Sequence, residues 1–363
     1  MHVGMSVIFQ NMLRKIGDDE VYRNDLRLAE QVETLGFDSI WSVEHHFTGY
    51  TMVPDVVQFL SYMAGRTKHV RLGTMVVVLP WHDPIRVAEQ ITMLDHLSGG
   101  RAVLGLGRGL GRIEFEGFRV EMSESRGRFV EYAQLVIEAL DKGYSEFDGK
   151  FIQQPRRDIR PAPFKSFRGR TYAAAVSPES SRVMAELGLG LLIVPQKPWS
   201  EVARELETYT AIFEQVNAQP PPAPIHVGWT FCDEDEGRAR EMAHRYIGGY
   251  YQTVIDHYEM TRGHFEKTKG YEYYHKVTEK LVDYGSDKLK DFFVDLQVYG
   301  TPRQCLDRIM SIRERVGADS YVAVFSYADM PHEEAQRNMR LFAEKVMPAL
   351  KQETPLRKAA GWE

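Results

Sequence analysis

The sequence predicts a closed (β/α)8 barrel with a long helical insertion between its seventh and eighth strands. Three observations lead there. Strand-like and helix-like patterns alternate along nearly the whole chain, as parallel strands joined by crossover helices require. Eight strand patterns can be placed, and residues 70–79 form a nearly unbroken apolar run, as strands buried on both faces do. No internal repeat and no second core interrupts them, so residues 1–350 read as one barrel, followed by a polar tail at 351–363. A doubly wound open sheet is the competing architecture. The choice bears on function, because barrel chemistry gathers at the C-terminal ends of the strands.

With 363 residues and 43% apolar content, the chain can bury a large core without a disulfide scaffold. A net charge of −6 with no long block of like charge argues against nucleic-acid binding. Cys232 and Cys305 lie far apart, one in a strand pattern and one in a helix pattern, which suits packing in a reducing compartment. The N-terminus enters a strand at once, and no apolar run reaches the ~20 residues that span a bilayer. A cytoplasmic protein without membrane contact is expected.

The first strand, 2–9, precedes a helix with Leu28, Ala29, Val32 and Leu35 on one face, stopped by Gly36. A second strand at 39–44 leads to a helix over 54–66. The third, 70–79, is followed by a helix that Asp83-Pro84 starts, with Val87, Ala88, Ile91 and Leu94 inward. The fourth, 101–107, gives way to a loop and a helix at 129–140. Residues 155–170, rich in Pro and Arg, form an excursion between the halves. A short strand beginning at Tyr172 then runs straight into a helix, with Ser177 at the N-cap, Pro178 at the first helical position and Gly188 as a left-handed cap. The sixth strand, 191–194, precedes a helix near 201–213, and prolines at 220–224 stiffen the approach to the seventh, 225–231. From 237 to 296 the chain is helical and far longer than one crossover, hence an insertion. Thr301 and Gln304 are spaced as a capping box for the next helix, which Gly317 stops. The eighth strand, 320–325, and a closing helix, 331–350, complete the count.

Three strand ends carry chemistry. The second ends in Glu44-His45-His46-Phe47, where an imidazole titrating near neutral pH suits a general acid/base at His45. His46 reads equally well as a satisfied core residue. A metal reading lacks ligands, since the other strand ends offer Arg108, Ser177, Gln196 and Ser326, so no metal is expected. The fourth strand ends in Gly105-Leu106-Gly107-Arg108-Gly109-Leu110-Gly111. Alternate glycines let backbone approach a flat ligand, and Arg108 is a permanent bidentate donor for a phosphate. It is not a dinucleotide fingerprint, because the third glycine of that motif falls on Leu110 or Arg112, and no Gly-Lys-Ser/Thr of a P-loop follows. The fifth strand delivers Ser177 and Ser180 to a helix start, a seat for a phosphate beside Arg108. The third strand offers an apolar wall that suits an aromatic ring system.

Taken together these residues resemble the bacterial luciferase-like flavin-dependent monooxygenases, and within that family most of all the luciferase catalytic subunit. The segments that carry the resemblance are Glu44-His45-His46-Phe47-Thr48, residues 73–80, Leu94-Asp95 with 98–101, Gly107-Arg108-Gly109, residues 176–181, Gly300-Thr301-Pro302 and Val346-Met347-Pro348. The resemblance implies a barrel binding reduced FMN (FMNH2) across the strand ends. Arg108, Val176, Ser177 and Ser180 would hold its phosphate, and a non-proline cis peptide at Met75–Val76 would lie near its rings. His45 would be the acid/base residue, and residues 261–291 a mobile lid. The implied reaction oxygenates a small organic substrate with FMNH2 and O2 through a flavin C4a-peroxide, which a dry pocket prolongs. No nicotinamide fingerprint is present, so a separate NAD(P)H:flavin reductase would supply FMNH2. The resemblance also implies a homodimer through residues 57–64 and 87–94.

The sequence departs from luciferase at two places. The cysteine beside the arginine is Gly107 here, and Tyr250 stands for a tryptophan, so the substrate pocket is not a copy and light emission from a long-chain aldehyde is not expected. The other readings are a deazaflavin- or FMN-dependent oxidoreductase on the same barrel, a non-catalytic flavin-binding subunit, and a metallohydrolase built on Glu44, His45 and His46.

Overall fold

The computed structural model describes residues 1–174 and 178–356. Among them eight parallel strands close into a barrel: β1 (His2–Val7), β2 (Ser39–Ser42), β3 (Arg71–Thr74, resumed at Val77–Val78), β4 (Ala102–Gly107), β5 (Thr171–Ala174), β6 (Gly190–Ile193), β7 (Ile225–Cys232) and β8 (Ser320–Val324). The ring is shut by β8 pairing with both β1 and β7, as in His2↔Ser320 and Ile225↔Ser320, and by β6 pairing with β7 at Ile225↔Leu192. The open-sheet alternative is thereby excluded.

The helices are α1 (Asp18–Ala29), α2 (Val56–Arg66), α3 (Pro84–Leu97), α4 (Arg112–Phe118), α5 (Ser125–Lys142), α6 (Pro178–Glu186) and α7 (Trp199–Asn217). Beyond β7 come α8 (Glu236–His257), α9 (His264–Lys267), α10 (Glu272–Tyr284) and α11 (Ser286–Leu296), which form the expected insertion. Then follow α12 (Pro302–Val316), α13 (His332–Lys345) and α14 (Met347–Gln352). Local chemistry sets their ends. Asp83 accepts from Ile85 N–H to cap α3, and Thr301 with Gln304 closes a reciprocal capping box on α12. Gly188 and Gly317 take the left-handed backbone that ends α6 and α12.

Four expectations are corrected. The third strand is not one run: a cis peptide at Met75–Val76 interrupts it, and strand pairing with β4 stops at Gly73↔Val103 and resumes at Val77↔Leu106. The Thr74 hydroxyl fills the gap, donating to Gly105 O at 2.8 Å and accepting Gly105 N–H at 2.7 Å. A side chain at Gly105 would put its Cβ 2.1 Å from Thr74 O, so glycine is needed there for the strands to approach. The loop after β4 carries a helix of its own, α4. Part of the 155–170 excursion is an antiparallel hairpin, Tyr144–Asp148 with Gln153–Asp158. The closing helix is broken at Val346, two residues before Pro348, into α13 and α14.

Inside the barrel Trp41 takes the room that Gly73 leaves, where an added Cβ would lie 2.1 Å from the indole ring. The Leu94-Asp95 and 98–101 segments are structural. Asp95 makes a buried bidentate pair with Arg170, at 2.6 and 2.7 Å, and Arg101 donates to Ser98 O, Val70 O, Ala64 O and the Thr67 hydroxyl and carbonyl. A second apolar cluster, separate from the barrel core, unites Val78, Trp81, Phe115 and Met122 with Met260, Phe265, Tyr271 and Leu281 of the insertion.

Candidate active site

The C-terminal ends of the strands surround a cavity of about 540 Å³ roofed by the insertion. Its walls differ in chemistry. At one end lie Arg108 and Gly109 from the β4 loop, Arg126 from α5, and Glu179 and Ser180 from α6. Met75 and Val76, on either side of the cis peptide, form an apolar wall. His45 enters from the end of β2, and Trp229, Tyr250, Tyr251, Tyr258 and Phe293 make an aromatic side beneath the insertion.

The Glu44-His45-His46 triplet splits, because successive side chains in an extended segment point apart. Glu44 and His46 turn away from His45 toward His82. Glu44 Oε1 lies 3.1 Å from His46 Nε2 and 2.6 Å from His82 Nε2, while Oε2 accepts Val78 N–H at 2.8 Å. That bond pins the backbone just past the cis peptide. Burial works to raise the Glu44 pKa, but the bonds from His46, His82 and Val78 hold it below the usual carboxylate range. Burial likewise works to lower the His82 pKa, but the Glu44 carboxylate raises it.

His45 has different neighbours. Its Nδ1 lies 2.9 Å from Oε1 of Glu114, a residue of α4 whose side chain is wholly buried. The same oxygen accepts His46 N–H at 2.9 Å, and His257 Nε2 lies 3.7 Å from it. The His45, Glu114 and His257 atoms all lie within 4.8 Å of one another. Burial works to raise the Glu114 pKa, yet the two imidazoles beside it bring it down to about 2. Burial lowers the His257 pKa against the pull of Glu114, and the ring stacks on Tyr50 at 4.4 Å. The triplet is therefore no metal centre by itself: its carboxylate and its first histidine belong to different clusters.

Arg108 donates to Gly270 O at 2.7 Å and its guanidinium sits 4.1 Å from the Tyr271 ring centroid. Arg126 donates to Gly270 O at 3.3 Å and pairs with Glu179. Tyr271 donates to Gly109 O at 3.0 Å and shares a 2.9 Å bond with Ser125 Oγ. Of the residues singled out in the sequence, His45, Met75, Val76, Arg108 and Ser180 line this one cavity, whereas Val176 and Ser177 lie outside the described residues. Glu114, Arg126 and His257 were not foreseen. Glu114 and Arg126 carry a weak signal, being charged residues shortly after the glycine-rich strand end. His257 carries none, since it reaches the site only through the fold of the insertion.

A closed parallel barrel whose strand ends combine a cationic end, an apolar wall and a seated imidazole is the architecture of a barrel enzyme with room for a flat, anionic ligand across its mouth. The chain belongs to the luciferase-like monooxygenase family, whose model matches residues 1–320. It is 27% identical over 344 residues to the alkanal monooxygenase alpha chain of Photorhabdus luminescens, covering 92% of this chain and 93% of that one. Among solved structures, monooxygenase RslO1 from Streptomyces bottropensis superposes with a TM-score of 0.80 at 26% identity, over 96% of this chain and 99% of that one. The oxygenating constituent of 3,6-diketocamphane monooxygenase from Pseudomonas putida, solved in complex with FMN, shares the fold with a TM-score of 0.73 at 17% identity, over 96% and 98%. The protein is thus a flavin-dependent monooxygenase in class, as the resemblance implies. No helix among the described residues is long and apolar enough to cross a membrane.

Proposed function

We propose that the protein is the oxygenating component of a two-component system. It takes FMNH2 from a separate NAD(P)H:flavin reductase and uses O2 to oxygenate a small organic substrate. The observation that carries this is the placement of Arg108, Arg126 and Ser180 at one end of the cavity that His45 also lines. The residues fit the cofactor: two guanidiniums and a hydroxyl suit a phosphate dianion, and the Met75–Val76 wall suits a fused ring system. Arg108, Arg126 and Ser180, with Val176 and Ser177, would hold the phosphate, and Met75 and Val76 would flank the rings. When bound, reduced flavin supplies the electrons that activate O2.

The chain's own residues handle orientation, water and protons. The insertion closes the mouth with Tyr271 bonded to Gly109 and Ser125, which keeps bulk water from the reacting centre. His45, poised on Glu114, moves a proton at Nε2 between cavity and substrate. The aromatic side under the insertion receives the organic substrate. Helices α2 and α3, which expose Tyr62, Met93 and Leu97, would join two copies into a homodimer in the cytoplasm.

The test combines purified protein, a flavin reductase, NADH, FMN and O2 with a panel of organic substrates, and reads product mass. A product one oxygen atom heavier, lost in His45→Ala while FMN binding persists, is expected. Preference for a deazaflavin over FMN, or turnover without O2, would sink the reading.

A further inference from the structure

We propose that Glu114 is the positioning residue for His45, fixing which ring nitrogen faces the cavity, with His257 and Thr48 closing the far side of the carboxylate. This rests on His45 being the acid/base group. An ionised carboxylate can only accept hydrogen bonds, so at 2.9 Å the His45 Nδ1 must carry a hydrogen and donate it to Glu114 Oε1. Nε2 is then the nitrogen whose proton changes, and it belongs to a side chain that is 17% exposed and lines the cavity. His46 N–H, donating to the same oxygen, fixes the carboxylate against the β2 end. The arrangement works through His45; Glu114 itself is fully buried and does not line the cavity.

The far side of the carboxylate is built from the segment after β2 and the end of α8. The Thr48 hydroxyl accepts Tyr50 N–H at 3.3 Å and lies 2.9 Å from His257 Nδ1. With one lone pair so used, the hydroxyl can still donate to Nδ1 or accept from it; donation leaves the hydrogen of His257 on Nε2, facing Glu114. At 3.7 Å that contact is too long for a hydrogen bond. Glu114 Oε2 and His257 Nε2 are accordingly buried without a hydrogen-bond partner among the described residues. A buried carboxylate with unused acceptor capacity is costly unless a charge develops beside it. An imidazolium at His45 is that charge. The groups facing the pair from every packed element are Glu114 on α4, Tyr50 after β2, and His257, Tyr258 and Glu259 at the end of α8. The cations at this end of α8 are engaged: Arg112 by Glu259 and Glu116, and Arg262 by Glu259.

The experiment is nitrogen NMR of the full-length protein labelled at histidine, with pH profiles of turnover and FMN binding, for wild type, Glu114→Gln and Glu114→Ala. In wild type, neutral His45 is expected as the Nδ1–H tautomer. Glu114→Gln keeps an amide oxygen to accept that hydrogen, so the tautomer persists. The lost charge moves the acid limb of the profile down by about one pH unit, at the low end of what a nearby opposite charge gives. Glu114→Ala loses both: His45 reverts to the Nε2–H tautomer that free imidazole prefers, and turnover falls about 10²-fold with FMN affinity unchanged. An unaltered tautomer and profile in Glu114→Ala would overturn the proposal. So would one equivalent of zinc retained by wild type and lost by both variants, since the carboxylate would then serve a cation. Wild-type turnover in His45→Ala would remove the acid/base assignment alone, because the tautomer readout tests the positioning without it.

Discussion

A β-carbon on Gly107 would sit 2.2 Å from Val76 Cγ2, so the space beside Arg108 belongs to the side chain that follows the cis peptide. That is the physical meaning of glycine where luciferases carry cysteine. Gly107→Cys is expected to displace Val76, lowering stability by about 1–3 kcal/mol, as overpacking does, and weakening FMN binding; thermal melts and FMN titration check both. At Arg108 the stake is the phosphate. Arg108→Ala should weaken FMN binding by about 1.5–3 kcal/mol, the worth of a charge-assisted bond, read by calorimetry. Unchanged affinity would remove the phosphate assignment. Both positions were visible in the sequence as a glycine–arginine alternation at a strand end, because backbone access and a fixed charge are local properties. Glu114 and His257 were not, because their role exists only when α4 and the end of α8 meet under β2.

At the scale of elements, the cover over the cavity hangs on few polar contacts. Tyr271→Phe keeps the ring under Arg108 but leaves Gly109 O and Ser125 Oγ without their partner. Losing these bonds should cost about 1–2 kcal/mol locally. Hydrogen exchange is expected to quicken about tenfold at the amides of residues 260–284 while barrel amides keep their protection. Uniform protection throughout would show that apolar packing alone holds the cover. The elements themselves were legible where one local rule governs: Asp83, Gly188, Thr301 with Gln304, and Gly317 end helices through their own side chains or backbone freedom. Legibility failed where a tertiary partner overrides the pattern. The apolar run at 70–79 carries no mark of its interruption in its own pattern, and only the family resemblance points to the cis peptide at Met75–Val76; the break depends on Thr74 reaching Gly105 and on Glu44 reaching Val78. The hairpin within 144–158 is mostly polar and exposed, so it lacks the alternation by which strands are read.

For the whole molecule, the Glu44–His82 pair links stability to pH. Glu44 has a folded pKa below its ordinary 4.5, so its contribution is full above that value and is lost as pH falls through the lowered one. His82 has a folded pKa above its ordinary 6.5, so its contribution is full below 6.5 and is lost as pH rises through the raised one. The pair therefore stabilises most between about 4.5 and 6.5 and fades on the alkaline side. Urea unfolding across pH should show that decline in wild type and a flatter alkaline limb in His82→Gln; parallel limbs would exclude the pair as its source.

The two apolar clusters have an evolutionary corollary. Residues 260–281 of the roof draw their cohesion from a small nucleus shared with Val78, Trp81, Phe115 and Met122, whereas Tyr250 and Phe293 of the insertion pack into the barrel core. Substitutions within 260–281 thus act mainly on that nucleus. Descendants of this chain can vary the outer cover at little expense to the barrel, whereas a change at Tyr250 or Phe293 is felt by the core that also seats His45.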